Sequence, residues 1–236
     1  MNLAISCCGL SRLPDDGKTV SNVLDARIAQ NNIGQVYDKL AGVYNVWGHL
    51  TESRARNRAV ELARIEDGQN ILEAAVETGL TFYEIAKRNP NGMNTGIDLS
   101  EGMLRKARKR LQKLSGAKFT LQQVSAFNLP VENHSIDTLV NNYMFDLIAN
   151  EDMDKLLIEF RRALKKDGKL VLVNMTRGES AASSVYDRIY KISPAAMGGC
   201  RGVLLSDKLN DNGFEIVTRE YFQQLLFPSE VLLARS

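Results

Sequence analysis

The chain has 236 residues, a formal net charge of +2, 44% hydrophobic residues and 25% charged residues. This length and apolar fraction predict one large α/β domain that buries a core and stays soluble, with two small domains as the alternative. The near-neutral charge gives no case for nucleic-acid binding, and no apolar run approaches the roughly 18 residues of a membrane span.

The cysteines and histidines argue against a metal site and against a disulfide framework. Cys7 and Cys8 are adjacent and Cys200 is remote, while His49 and His134 are the available imidazoles. This arrangement lacks the ligand spacing of a metal site, so we expect reduced thiols in a cytoplasmic protein. Cys7 loosely fits a lipoprotein cleavage site, but the N-terminus lacks the basic leader of a signal peptide.

The first part of the chain predicts an arm followed by a helical flap. Residues 1–34 show no sustained period, which favours an N-terminal arm. From residue 35 apolar and aromatic residues recur at helical spacing, and the pair Gly48-His49 then predicts a helix break. Thr51 is expected to cap a basic helix that continues to about residue 65. We define 35–66 as the flap, which packs either on the core or over a pocket, since aromatic residues with polar tips suit a half-apolar ligand.

Residues 70–87 predict a strand, a tight loop and the start of a helix. Ile71 and Leu72 belong to a strand that ends in Glu73, and a short loop reaches Gly79 before a helical pattern begins. Such a strand, loop and helix form the usual cradle for a nucleotide-like ligand. A second strand ends in Asp98, about 20 residues beyond the loop, where an acid can bind a ribose.

Strands and helices then alternate along the chain. Ser100 is expected to cap a helix with one basic face, which is either a solvated surface or a contact to an anionic membrane. The remaining predicted segments are strands at 118–124, 136–141 and 169–173, a helix at 151–165, a short helix capped by Ser206, and a terminal antiparallel strand pair at 214–221 and 224–233. The irregular segment 177–202 is expected to be an insertion on the substrate side.

This alternation predicts parallel strand pairing through right-handed crossovers, with ligands at the carboxyl ends of the strands. Four separate segments should therefore meet at one rim. They are Glu73 to Gly79, Asp98, Ser125-Ala126 and Asn141 to Asp146.

From residue 35 to the C-terminus the chain resembles class I S-adenosylmethionine-dependent methyltransferases. It is similar to the small-molecule branch that contains quinone-biosynthesis C-methyltransferases and phospholipid N-methyltransferases. The motifs that carry the resemblance are residues 37–44, residues 97–104 as the most specific match, Asn128-Leu129-Pro130, Ser135-Ile136-Asp137 and residues 164–168. The resemblance implies a Rossmann-like, seven-stranded, mostly parallel sheet with helices on both faces and the last strand antiparallel.

The resemblance also implies S-adenosylmethionine as cofactor and methyl transfer to a small or lipid-like acceptor. The implied cofactor-binding residues are Tyr37, Glu73, Ala75, Glu77, Gly79, Asp98, Leu99, Ser125, Ala126 and Asn141. The expected substrate-side residues are Tyr44, Tyr143, Asp146 and Arg201. No catalytic residue is identified, because proximity to an activated methyl group carries most of such a rate. Asp146, His134 and Tyr143 are candidate bases for an acidic acceptor, and each also has a purely structural interpretation.

Three residues depart from the pattern of the family. Ala75 and Glu77 stand where glycine is usual, and Ser125 stands where aspartate is usual. Glycine at such positions permits unusual backbone angles and close approach to a ligand. The departures leave open an alternative, a methyltransferase-like domain that has lost methyl transfer and binds another ligand, catalyses a different reaction or acts through protein contacts. A nicotinamide dehydrogenase is disfavoured because the loop lacks the Gly-x-Gly-x-x-Gly pattern.

Overall fold

The computed structural model describes residues 44–176, 201–224 and 227–236, with side chains described from Glu52 onward and from Pro228 onward in the last segment. The predicted arm 1–34, Tyr37 and nearly all of the predicted insertion 177–202 lie outside these residues, so the proposed domain boundaries stay predictions. Within the described part of the chain, no helix combines the length and the apolarity that crossing a membrane requires.

Seven strands form one sheet in the order β3-β2-β1-β4-β5-β7-β6. The strands are β1 (Asn70–Ala74), β2 (Met93–Asp98), β3 (Phe119–Gln123), β4 (Ile136–Asn142), β5 (Leu164–Met175), β6 (Glu215–Gln224) and β7 (Phe227–Arg235). Pairing is parallel from β3 to β5, whereas β7 runs antiparallel to both β5 and β6. The predicted seven-stranded sheet with its last strand antiparallel is confirmed.

Helices cover both faces of the sheet, as predicted. They are α1 (Tyr44–Ala63), α2 (Leu80–Arg88), α3 (Glu101–Leu111), α4 (Asn150–Ala163) and α5 (Ser206–Asp211), with a 3-10 turn at Phe145–Leu147. One apolar cluster joins the sheet to α4 and α5, and two others join it to α1, α2 and α3. Burial on both faces explains the continuous apolar run of Leu170 to Val173, since no residue of this strand segment faces water.

The predicted helix break at Gly48-His49 is wrong, because α1 runs without interruption from Tyr44 to Ala63. A glycine inside a helix costs only about 1 kcal/mol relative to alanine. The helix packs on β5 and β7 through the small buried side chains Ala55, Ala59 and Ala63. Tertiary packing therefore outweighs the local preference for a break.

Two further boundaries differ from the prediction. The helix expected at 151–165 ends at Ala163, because Leu164 adopts extended angles and pairs with Ile136 as the first residue of β5. Ser206 is the first residue of α5 rather than its cap, and the N-cap is the fully buried Leu205, which offers no side-chain hydrogen bond. The cap predicted at Ser100 is confirmed, since its side chain accepts a hydrogen bond from the backbone N of Met103 at 3.1 Å.

Candidate functional site

The carboxyl ends of β1, β2, β3 and β4 bring the predicted segments to one rim. There a pocket, which we call the β1–β2 pocket, opens beside the loop that follows β1. It is lined by Ala75, Glu77, Ile97, Asp98, Leu99, Ser100, Met103, Val124, Ser125, Ala126, Phe127, Tyr143, Met144, Leu147 and Ile148. Seven residues of the predicted site line this pocket, namely Ala75, Glu77, Asp98, Leu99, Ser125, Ala126 and Tyr143.

The loop after β1 keeps a backbone form that glycine favours, although it holds larger residues. Ala75 has φ 61° and Glu77 has φ 51°, both in the left-handed region. The loop is fixed by a hydrogen bond from the N of Val76 to the O of Ile97 at 3.0 Å. Gly79 has φ 77°, and a Cβ built on it would lie 2.9 Å from that of Ala107, so this position has no room for a side chain. The loop conformation is therefore imposed by its surroundings.

Asp98 is held in a fixed position at the end of β2. One carboxylate oxygen accepts a hydrogen bond from the N of Glu77 at 2.8 Å, and the other accepts one from the N of Ser100 at 2.8 Å. A carboxylate group offers about four lone-pair sites in all, so two backbone donors do not exhaust its accepting capacity. Asp98 thus joins the two loops of the rim and can still accept hydrogen bonds from a pair of hydroxyl groups.

Beyond Asp98 the wall of the pocket is apolar. Leu99 is 52% exposed and lines the pocket. Met103, Ala126, Phe127 and Ile148 complete the wall. A narrow apolar slot beside one fixed carboxylate suits a flat ring attached to a polyhydroxylated group. The geometry therefore fits a nucleoside.

A second group of residues, which we call the polar floor, lies buried next to the pocket. It consists of Glu73, Thr81, Asn141 and Asn142. The amide nitrogen of Asn142 donates to Oε1 of Glu73 at 3.0 Å and to the hydroxyl of Thr81 at 3.2 Å. The amide nitrogen of Asn141 donates to the carbonyl of Ala74 at 2.8 Å, which ties β4 to the start of the loop.

Burial disfavours the ionised form of the Glu73 carboxyl group. Only 2% of the residue is exposed, and burial raises the pKa of Glu73 well above its usual value. The hydrogen bond from Asn142 opposes this rise, whereas the nearby carboxylate of Glu77 adds to it. Within the described residues, Oε2 of Glu73 has no hydrogen-bond partner. A buried, unsatisfied acceptor at a ligand-binding rim is a candidate contact for a polar ligand.

A buried ion pair on α1 lies near this floor and was not found from the sequence. Arg56 contacts Glu52 at 2.9 Å, and their side chains are 8% and 11% exposed. Burial raises the pKa of Glu52, and the charge of Arg56 lowers it. In the sequence this i,i+4 pair is indistinguishable from an ordinary surface pair on a helix.

The predicted substrate-side residues fall into different settings. The hydroxyl of Tyr143 is hydrogen-bonded to that of Ser229 at 3.0 Å, and burial raises the pKa of Tyr143 well above its usual value. Asp146 is fully buried and accepts a hydrogen bond from the N of Met175 at 3.0 Å, so it holds the end of β5. Burial also raises the pKa of Asp146 well above its usual value. Tyr44 lies in α1 at a point where side chains are not described.

Two other predicted residues lie away from the pocket lining. Arg201 is fully buried and donates to the carbonyl of Ile148 and to Oδ1 of Asn150, so it braces the segment before α4. His134, one of the three candidate bases, cannot serve at the rim, because it precedes β4 and therefore lies at the opposite end of the sheet. There its Nδ1 pairs with the carbonyl of Leu164 at 2.9 Å.

Comparisons with known proteins agree with the fold. A family model described as a methyltransferase domain matches residues 71–168. The chain is 30% identical over 148 residues to the ubiquinone/menaquinone biosynthesis C-methyltransferase UbiE of Bordetella avium, covering 62% of this chain and 54% of that protein. It is 26% identical over 151 residues to a demethylmenaquinone methyltransferase of Symbiobacterium thermophilum, covering 61% of this chain and 59% of that protein. The match to each relative thus spans less than two thirds of its length.

Among solved structures, the cyclase SpnF superposes with a TM-score of 0.71 over 91% of this chain and 98% of its own. The two sequences are 18% identical, so this likeness shows a shared fold and carries no statement about activity.

Proposed function

We propose that this chain is a class I S-adenosylmethionine-dependent methyltransferase and that it transfers a methyl group from S-adenosylmethionine to a small or lipid-like acceptor. The observation that carries the proposal is the Asp98 carboxylate, which backbone N–H groups of two loops fix at the mouth of an apolar slot. An adenosine group needs this combination of an acceptor for ribose hydroxyls and a flat apolar wall.

The described residues fit the cofactor at both ends of the rim. Asp98 would accept hydrogen bonds from the ribose, while Leu99 and Ala126 would enclose the adenine. Ala75 and Glu77 already have the left-handed backbone angles that glycine would supply, so the substitutions preserve the path of the loop. At the other end, the unsatisfied Oε2 of Glu73 offers an acceptor for an ammonium group.

When bound, S-adenosylmethionine supplies an electrophilic methyl group on a sulfonium, and the contribution of the protein is to position it and exclude water. The loop from Ala75 to Gly79 would fix the cofactor from below. Tyr143 stays protonated at neutral pH because its pKa is raised, so it serves as a hydrogen-bonding wall rather than as a base. The carboxylate of Asp146 accepts a hydrogen bond from the backbone N of Met175, which favours a structural role for it.

The names of the relatives support a quinone-type acceptor. One is named for demethylmenaquinone and the other for ubiquinone and menaquinone biosynthesis. We therefore propose methylation of a ring carbon of a prenylated quinol. The alternative function, a domain that has lost methyl transfer, receives no support from these relatives.

Calorimetric titration of the full chain with S-adenosylmethionine and S-adenosylhomocysteine tests the cofactor assignment, and saturable binding is expected for both. Incubation with methyl-labelled cofactor and a reduced demethylmenaquinone analogue then tests the acceptor. No binding at millimolar cofactor would contradict the first assignment. Binding without label transfer to the quinol would contradict the second.

A further inference from the structure

Three acidic residues meet around the loop that follows β1. Glu77 and Asp98 line the β1–β2 pocket, and the backbone N of Glu77 donates to the carboxylate of Asp98 at 2.8 Å. Glu73 lies in the polar floor, and the negative charges of Glu77 and Asp98 both raise its pKa. The charges of these two lining residues therefore act on the floor as well as on the pocket.

The lining of the pocket does not balance this negative charge. Among the described residues that line it, none is a lysine, an arginine or a histidine. Arg56 also acts on Glu73, where it lowers the pKa, but its guanidinium group is ion-paired with Glu52 at 2.9 Å. In a chain whose formal net charge is +2, the pocket is thus a local region of negative potential.

Glu77 holds its charge in this pocket at the expense of backbone strain. Its φ of 51° lies in the left-handed region, which glycine adopts freely and a longer L residue does not. The turn is fixed on both sides of Glu77, because the N of Val76 donates to the O of Ile97 and the N of Gly79 donates to the O of Val76. A strained residue in a ligand-binding loop indicates that its side chain has a function there.

The cofactor and the product of methyl transfer differ in charge at one atom. S-adenosylmethionine carries an ammonium, a carboxylate and a sulfonium group, whereas S-adenosylhomocysteine has an uncharged thioether in place of the sulfonium. Repulsion between Glu77 and the ligand carboxylate is common to both molecules, so it cancels when their affinities are compared. The comparison therefore isolates the attraction between Glu77 and the sulfonium.

We propose that Glu77 makes the β1–β2 pocket select the sulfonium cofactor over the uncharged product, an inference that rests on the proposed methyl transfer. The carboxylate is half-buried beside apolar walls, where the effective dielectric constant is lower than in water and the attraction is correspondingly stronger.

Methyl transfer removes the attracted charge in the same step. The electron pair of the acceptor forms the new bond to the methyl carbon, the pair of the broken bond stays on sulfur, and the acceptor releases a proton to water. Glu77 thus favours binding of the cofactor before the reaction and departure of the product after it.

The test compares the affinities of the full chain for S-adenosylmethionine and S-adenosylhomocysteine by calorimetry. Glu77→Gln removes the charge and keeps the length of the side chain, whereas Glu77→Asp keeps the charge in a residue type that tolerates positive φ. We expect the preference for S-adenosylmethionine to fall about tenfold in Glu77→Gln, which corresponds to about 1.4 kcal/mol. Glu77→Asp should retain most of the native preference.

Sinefungin extends the test to a ligand that cannot transfer a methyl group. It carries an amino group where the cofactor has its methylated sulfur, so it is cationic at neutral pH. Its affinity should fall in Glu77→Gln by the same factor as that of S-adenosylmethionine. Glu132→Gln removes an exposed carboxylate outside the pocket lining and should leave all three affinities unchanged.

Equal loss of affinity for all three ligands in Glu77→Gln, or no change for any of them, would overturn the role of Glu77. The side chain would then shape the loop or lie away from the sulfonium. In both cases the native chain would still bind the cofactor, so the proposed methyl transfer would stand. If the native chain bound neither S-adenosylmethionine nor S-adenosylhomocysteine, both proposals would be overturned.

Discussion

The β1–β2 pocket and the polar floor adjoin at one rim but are built in opposite ways. The pocket has largely apolar walls and two acidic lining residues, Glu77 and Asp98, and both carboxylate oxygens of Asp98 accept backbone hydrogen bonds. The floor packs a carboxyl group and amide groups into the interior, and the described residues leave Oε2 of Glu73 and the amide oxygens of Asn141 and Asn142 without partners.

The two regions therefore affect the stability of the fold in opposite directions when no ligand is bound. Apolar walls contribute to stability whether or not a ligand is present, since each fully buried large side chain is worth about 1.5–3 kcal/mol. Unsatisfied buried polar atoms cost about 1–3 kcal/mol each until a ligand or water satisfies them. We therefore expect substitutions in the pocket to weaken both stability and binding, and substitutions in the floor to trade one against the other.

The largest effect should follow Asp98→Ala. The change removes the acceptor of two loop hydrogen bonds together with the expected contact to the ribose. We expect cofactor affinity to fall by about 100-fold or more, and the free energy of unfolding to fall by about 2 kcal/mol. Calorimetry and urea denaturation measure the two quantities.

Asp67→Ala is the matched control for Asp98→Ala. Asp67 also accepts hydrogen bonds in a loop, from the backbone and side chain of Asn91, but at the opposite end of the sheet. It should lose some stability and keep the affinity of the native chain for the cofactor. A loss of affinity similar to that of Asp98→Ala would show that general loosening, rather than the ribose contact, explains both results.

The next effect concerns the loop between pocket and floor. Ala75→Gly and Glu77→Gly remove side chains from residues with positive φ, where an L residue costs about 1 kcal/mol relative to glycine. Each variant should raise the melting temperature by about 2–4 °C. Glu77→Gly should also lower the pKa of Glu73, because the carboxylate of Glu77 raises it.

Asp167→Gly separates backbone strain from ligand contact. Asp167 has φ 61°, like Ala75, but lies where the register of β5 shifts between Leu164 and Lys169, at the end of the sheet opposite the rim. The substitution Asp167→Gly should stabilise the protein to a similar degree without altering cofactor affinity. If Glu77→Gly and Asp167→Gly have the same effect on affinity, the side chain of Glu77 does not meet the cofactor.

A smaller effect, with a defined pH dependence, should follow Glu73→Gln. The folded-state pKa of Glu73 lies above its usual value of 4.5, so its contribution to stability is complete below that pH and is lost as pH rises through the folded pKa. Each unit of the shift is worth about 1.4 kcal/mol. Urea denaturation between about pH 5 and pH 8 should show a smaller fall in stability for Glu73→Gln than for the native chain. Glu132→Gln, at an exposed carboxylate, should leave that fall unchanged.

Much of the fold was predictable because its signals are local. Apolar runs such as 170–173, the cap at Ser100 and the acid at Asp98 each express a requirement of one strand, helix or loop, and the structure places all of them as expected. The seven-stranded, mostly parallel sheet with its last strand antiparallel followed from the alternation of these segments together with the resemblance to the methyltransferase family.

The remaining features depend on contacts between distant parts of the chain. Glu52 and Arg56 are buried by the packing of α1 against distant parts of the chain, and Arg56 lies beside Thr81 and Arg110. Leu205 caps α5 because the core holds it in place, not because its side chain can accept a hydrogen bond. Ser229 could not be assigned to the rim, because its contact with Tyr143 spans 86 positions.

The smallest effect should come from the hydrogen bond between Tyr143 and Ser229, which joins the wall of the pocket to β7. Tyr143→Phe and Ser229→Ala each remove this bond, and each should lower the free energy of unfolding by about 1 kcal/mol. Their effects should not add in the double variant, because both remove the same interaction.

The two single variants differ in one respect, since Tyr143→Phe also removes the hydroxyl from the pocket. If that hydroxyl contacts the acceptor, methyl transfer should slow more in Tyr143→Phe than in Ser229→Ala at equal cofactor occupancy. Equal rates in the two variants would assign Tyr143 to the packing of the rim alone.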